Sequence, residues 1–255
     1  MSAECRLDVA PRKQPRHLVS DAYTPRIETV FLDAGGVLIH PNWQRVSDTF
    51  ARHGLEASAA SLRDAEPEVK FGIDTADRVA ATKDADRGSA LFNGVLDRTG
   101  VPRGTAREAA LAELYAYHME HNLWEDVDPH AASTLQRLQQ MGLTLAVVSN
   151  ANGVVQRAFE RAGLHQYFGT IGDSHIEGVE KPDPRFFELV LQRTASQPAS
   201  TVHVGDLYHV DVVGARRAGL QALLLDPHDL YSAFDVTRIA DLSALPAAIA
   251  ALGRM

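Results

Sequence analysis

Residues 27–38 read IETVFLDAGGVL. The first six, Ile27–Leu32, mix β-branched and aromatic residues and read as a strand. Asp33 follows and Gly35-Gly36 break the pattern, so a carboxylate stands where a strand becomes a turn. The same punctuation returns along the chain. Leu143–Val148 (LTLAVV) is an apolar strand ending at Ser149-Asn150, and Tyr167–Ile171 is a weaker one. Thr201–Val204 (TVHV) ends at Gly205-Asp206, and Gln221–Leu225 (QALLL) is a fifth.

Helical patterns separate these strands. Asp128-Pro129 reads as a cap with proline at the first helical position, Gly142 reads as the stop, and Ala132, Leu135, Leu138 and Met141 recur between them at helical spacing. Val154–Ala162 is closed by Gly163, Pro184–Thr194 carries Phe186, Phe187, Val190 and Leu191, and His209–Ala218 is closed by Gly219. Strand alternating with helix predicts an α/β fold: a Rossmann-like parallel sheet with helices on both faces. In such sheets ligands bind beyond the carboxyl ends of the strands, where Asp33, Ser149 and Asp206 all fall. The alternation lapses once. Residues 43–124 show helical runs (Trp43–His53, Ser58–Val69, Ala106–His121) and no convincing strand. They are expected to form an all-helical cap, inserted into a core made of residues 27–42 and 125–255.

Composition sets outer bounds. The 255 residues suffice for one core domain and a smaller insert, and 45% hydrophobic with 23% charged residues is ordinary for a folded soluble protein. Lys and Arg total 25 and Asp and Glu 33, a formal charge of −8, which argues against a general nucleic-acid binder. Cys5 is the single cysteine, so neither an internal disulfide nor a cysteine zinc site can form, as suits a reducing cytoplasm. No apolar run approaches the ~20 residues of a membrane helix. Residues 1–26 mix basic residues with prolines, lack the apolar stretch of a secretory signal, and are expected to be a mobile tail.

Four elements in order carry chemistry: Asp33, Ser149-Asn150, Lys181-Pro182, and Gly205-Asp206 with Asp211 beyond. Each alone is ordinary turn or cap chemistry. Together, at successive strand ends, they describe an oxygen-rich site suited to Mg²⁺ and a phosphate, with a lysine to balance charge. A carboxylate held in line with phosphorus can act as a nucleophile.

With those residues in view, the sequence resembles the haloacid dehalogenase superfamily of hydrolases, in the branch whose helical cap follows the first motif. The resemblance covers Ile27 to roughly Leu225. It implies Asp33 as nucleophile and Mg²⁺ ligand, Ser149 and Asn150 as phosphate binders, and Lys181 as the charge bridge between Asp33 and phosphate. It also implies Asp206 and Asp211 in or behind the metal shell and the Gly35 carbonyl as a backbone ligand. The implied function is hydrolysis of a small phosphorylated metabolite through an aspartyl-phosphate, by a cytoplasmic monomer or homodimer. Two positions depart from the pattern. Phosphatases of this superfamily usually carry a second Asp two residues after the nucleophile, as general acid and base, and a Thr two further on; here these are Gly35 and Val37. A dehalogenase, a phosphonatase using a cap lysine such as Lys70 or Lys83, and a non-catalytic binder are the alternatives. His40 and His209, each near a motif, are candidates to supply the missing proton. Trp43 and Trp124, which bracket the insert, read as packing residues, and so do His118 and His121.

Overall fold

The structure, a computed structural model, describes residues 26–252. The expected tail lies outside that range apart from Arg26, and so does Cys5. In chain order the first half contains β1 (Thr29–Leu32), β2 (Ile39–Pro41), α1 (Trp43–Arg52), α2 (Ala59–Ile73), α3 (Ala76–Ala81), α4 (Asp84–Arg98), α5 (Thr105–His121) and β3 (Trp124–Val127). The second half contains α6 (Ala131–Gln140), β4 (Thr144–Ser149), α7 (Val155–Arg161), β5 (Thr170–Asp173), α8 (Ser174–Glu177), α9 (Pro184–Thr194), β6 (Thr201–Gly205), α10 (Val213–Arg217), β7 (Gln221–Leu225), β8 (Thr237–Ile239) and α11 (Leu245–Leu252).

Six strands form one parallel sheet in the order β5-β4-β1-β6-β7-β8. This is the expected Rossmann-like α/β fold. β1 is central because every residue in it is buried and both its faces are apolar. Val30 and Leu32 point into one core with Leu135 and Leu138 of α6, Phe159 of α7 and Ile249 of α11. Phe31 points into the other with Phe186, Phe187 and Val190 of α9. The strand order reverses around β1, with β4 on one side and β6 on the other. That opens a crevice at their carboxyl ends.

Four of the five helices between β2 and β3 (α1, α2, α4 and α5) bury their own apolar cluster, including Trp43, Phe50, Leu62, Val95, Leu96 and Leu114. They are joined to the sheet domain through the antiparallel ribbon β2–β3. That ribbon and β8 carry too few residues to announce themselves in the sequence.

Several expected boundaries move. The helix expected from Asp128-Pro129 begins at Ala131, because Asp128 caps the preceding turn, accepting from the His130 and Ala131 amides at 2.8 and 3.0 Å. The weak strand expected at Tyr167–Ile171 runs from Thr170 to Asp173. The helix expected over His209–Ala218 opens as a wide π-turn, Tyr208–Val212, before α10. Widening of this kind is frequent at functional sites, and here it carries Asp211.

Candidate active site

Asp33 leaves the end of β1 at the crevice, with its Oδ1 accepting the Ala34 amide at 2.7 Å. Its Oδ2 lies 2.8 Å from Lys181 Nζ. Lys181 is completely buried, and its ammonium also meets Asp211 Oδ1 at 2.7 Å. Asp211 is tied down further by His203 Nε2 at 2.9 Å and by the Leu207 amide, which donates to Oδ2 at 3.1 Å. Asp33, Asp206 and Asp211 each offer a carboxylate oxygen within 4.8 Å of the others, and all three are buried. Three hard oxygen donors at that spacing fit a Mg²⁺ ion.

The glycines make the approach physical. Gly36 sits at φ +76°, and a Cβ on it would lie 1.9 Å from Asp206 Oδ2. A Cβ on Gly205 would lie 2.1 Å from Asp211 Cγ. Any larger residue at either place would push a carboxylate out of the cluster. Gly35 is different. An ideal Cβ there would stand 3.2 Å from both Cδ1 and Nε1 of Trp124, so the indole edge borders the place where an acid side chain would project. Phe92 and His118 hold that ring from other sides, with centroids 5.7 and 5.3 Å away.

Residues 27–219 match the haloacid dehalogenase-like hydrolase family. The chain belongs to that family. Among curated relatives, haloacid dehalogenase-like hydrolase domain-containing protein 3 of Mus musculus is 34% identical over 126 residues, 49% of this chain and 50% of that protein. Ribulose-1,5-bisphosphate 5-phosphatase of Halopiger xanaduensis is 36% identical over 148 residues, 57% of this chain and 59% of that protein. The chain thus spans about half to three fifths of the length of these relatives. The magnesium-bound crystal structure of YfnB from Bacillus subtilis superposes with a TM-score of 0.66 at 18% identity, covering 88% of this chain and 99% of that one, a likeness of fold.

Within this cluster the charges are unevenly held. Burial pushes the Asp33 carboxyl up from 3.8 to about 7, against the pull of Lys181 and with the help of Asp211 and Asp206. Burial would also raise Asp211, but Lys181 and His203 outweigh it and hold that carboxyl well below the ordinary range. Lys181, which burial alone would discharge, is kept an ammonium by Asp211 and Asp33. Lys181→Met should therefore lower unfolding stability by about 3–5 kcal/mol at neutral pH, the usual consequence of leaving buried carboxylates unpaired. Chemical denaturation at pH 8 and pH 5 checks this, with a smaller loss at pH 5, where Asp33 is protonated.

Ser149 closes β4 beside β1, and its hydroxyl donates weakly to the Asn150 carbonyl at 3.4 Å. Asn150 does not present its amide to the crevice. Its Oδ1 accepts the Lys181 amide at 2.8 Å, and its Nδ2 donates to the Lys181 carbonyl at 3.1 Å and to Asp84 at 3.3 Å. Both amide hydrogens are used, so the side chain clamps the lysine loop. The two histidines suspected as proton donors are engaged elsewhere: His40 faces Asp128 at 3.5 Å, and His209 Nδ1 meets the Asp74 carbonyl at 2.8 Å. His118 accepts the Leu123 amide and contacts Asn152, whereas His121 faces Glu120.

Sequence reasoning missed His203 altogether, read Gly36 only as a strand breaker and Trp124 only as packing, and named Lys70 as a cap lysine without placing it at Asp206. Lys70, on α2, reaches Asp206 Oδ2 at 2.7 Å. Burial would favour its neutral form, but Asp206 and Glu66 outweigh that and keep it charged. No pattern within α2 marks it, because its partner lies 136 residues away.

Proposed function

We propose that this chain is a Mg²⁺-dependent phosphatase for a small phosphorylated metabolite, with Asp33 as nucleophile. The observation that carries the reading is the buried cluster of Asp33, Asp206 and Asp211 bridged by Lys181. The phosphatase name of the Halopiger relative points the same way. Asp33 and Asp206 would hold the ion together with the Gly35 carbonyl, and Asp211 would steady both Lys181 and the metal shell. When bound, Mg²⁺ supplies neutralisation of phosphate charge. Asp33 attacks phosphorus: an O–P bond forms to the carboxylate, the ester P–O bond breaks, and the alkoxide departs with the electron pair and is protonated from solvent. Water then attacks the aspartyl-phosphate, releasing phosphate and restoring Asp33. Lys181 and the Ser149 hydroxyl hold phosphate oxygens throughout.

Residues 43–124 act in this reading as a cap that closes over the crevice and excludes water. Its helices reach the core through Asp84, whose backbone amide donates to Glu180 at 3.1 Å, as well as through Lys70. A phosphonatase is disfavoured because Lys70, the cap lysine nearest the cluster, is a paired ammonium and not a free amine. A dehalogenase is disfavoured because three carboxylates would repel a carboxylate substrate. A binder of phosphorylated ligands is the second reading, favoured by Gly35. A screen of phosphorylated metabolites with and without Mg²⁺, with Asp33→Asn as the blank, separates it from a phosphatase. Turnover that survives excess chelator would refute the metal-dependent mechanism.

Mg²⁺ binding should also depend on pH. A folded-state pKa near 7 for Asp33 means that, without metal, its contribution to stability is full below pH 3.8 and is lost as pH rises through 7. A cation that needs the ionised carboxylate therefore gains most above that range. The rise in melting temperature on adding Mg²⁺ should be larger at pH 8 than at pH 5.5, and equal shifts at both would refute the assignment of Asp33 as a ligand.

A further inference from the structure

Lys70 stands out because a local partner is at hand and its ammonium makes its ion pair elsewhere. Glu66 lies one turn earlier on α2, the spacing at which helical ion pairs form. Its Oε2 is taken by the Trp43 indole N–H at 2.7 Å. Lys70 instead crosses the crevice to Asp206. Nor is it needed to hold the end of its helix. Phe71 packs against Tyr231 and Phe234, with ring centroids 5.0 and 6.3 Å apart. The buried Asp74 carboxylate accepts from Tyr231 Oη at 2.9 Å and from the His209 amide at 3.1 Å. These contacts dock the last turn of α2 on the core, and they fix where the Lys70 backbone stands.

We propose that Lys70 is a protein-borne counter-ion of the site, pairing with Asp206 while the metal is absent and passing to the substrate's phosphate once Asp206 is taken by a divalent cation. This rests on the metal-dependent phosphatase reading above. Three carboxylates face two ammonium groups in the cluster, so a charge deficit remains for a divalent ion to fill. An ammonium at 2.7 Å from Asp206 and a divalent cation on the same carboxylate repel each other strongly at that range. The long, flexible lysine stem can swing away without moving the docked helix. The anion that enters with the metal is the nearest new partner. The same ammonium therefore opposes metal binding in the free protein and favours phosphate binding in the loaded one.

That double role gives opposite signs, which a structural role does not. In the full chain, Lys70→Met should bind Mg²⁺ about tenfold more tightly than wild type, in calorimetric titration without phosphate. It should bind inorganic phosphate about tenfold more weakly at saturating Mg²⁺. Lys70→Gln should repeat both effects and stands in if the methionine variant folds poorly. Asp74→Asn, which loosens the docked turn and leaves the ammonium in place, should not tighten Mg²⁺ binding. Mg²⁺ affinity that is unchanged or weaker in both Lys70 variants overturns the inference and leaves the metal reading standing. Absence of Mg²⁺ binding to wild type and variants alike overturns the metal reading itself, and this inference with it.

Discussion

Asp33→Asn is expected to reduce turnover of phosphate monoesters by on the order of 10⁴-fold or more while leaving the protein folded. Asparagine has the same shape, and its amide oxygen can still accept the Ala34 amide now held by Asp33 Oδ1. What disappears is the anion that attacks phosphorus, because a neutral carboxamide is too weak a nucleophile to displace the ester oxygen. Stability should change little. Lys181 loses one partner but keeps Asp211 at 2.7 Å, and the folded state no longer has to bury an ionised Asp33 that it holds near pKa 7. Circular dichroism and melting should therefore match wild type while the rate with an aryl phosphate falls to background. A variant within tenfold of wild type would exclude Asp33 as nucleophile.

The sheet and most of the cluster were legible in the sequence because both follow from local signals. Apolar runs ending in Asp33, Ser149 and Gly205-Asp206 mark strand ends, and a parallel sheet brings such ends together whatever the loops do. Lys181 and Asp211 follow from their place in the order of motifs. What stayed hidden depends on contacts between distant elements. His203 sits mid-strand on the face it shares with Thr201, where alternation would leave it polar and exposed, and only the fold buries it and turns it toward Asp211. The Lys181 loop folds over Asn150 and takes both ends of its side-chain amide, a contact that no local pattern announces. Trp124 reads as packing, and it is packing, against Phe92 and His118. Its position beside Gly35 needs the β2–β3 ribbon, whose strands of three and four residues carry no periodic signal.

Gly35 and that indole set the other large effect. With no carboxylate two residues after the nucleophile, the leaving group must depart without a proton from that position. The rate should then depend steeply on leaving-group acidity: aryl, acyl and anomeric sugar phosphates should outpace simple alkyl phosphates by about 10²–10⁴, the usual worth of a general acid. The Trp124 N–H borders the vacant position and can donate a hydrogen bond, but an indole does not give up its proton near neutral pH. It therefore leaves the slope steep. Gly35→Asp alone should gain little, since its Cβ would already meet the ring at 3.2 Å and the carboxylate must extend beyond it. Gly35→Asp combined with Trp124→Ala opens that volume. The pair should raise alkyl phosphate turnover relative to Trp124→Ala alone and flatten the slope, because a proton supplied in the transition state weakens the dependence on leaving-group acidity. A flat dependence in the wild-type protein would defeat the argument. Neither His40, facing Asp128, nor His209, held by Asp74, is hydrogen-bonded to Asp33 among the described residues. The donor would then have to be another group, with the ammonium of Lys70 on the cap side, paired with Asp206, a candidate to test.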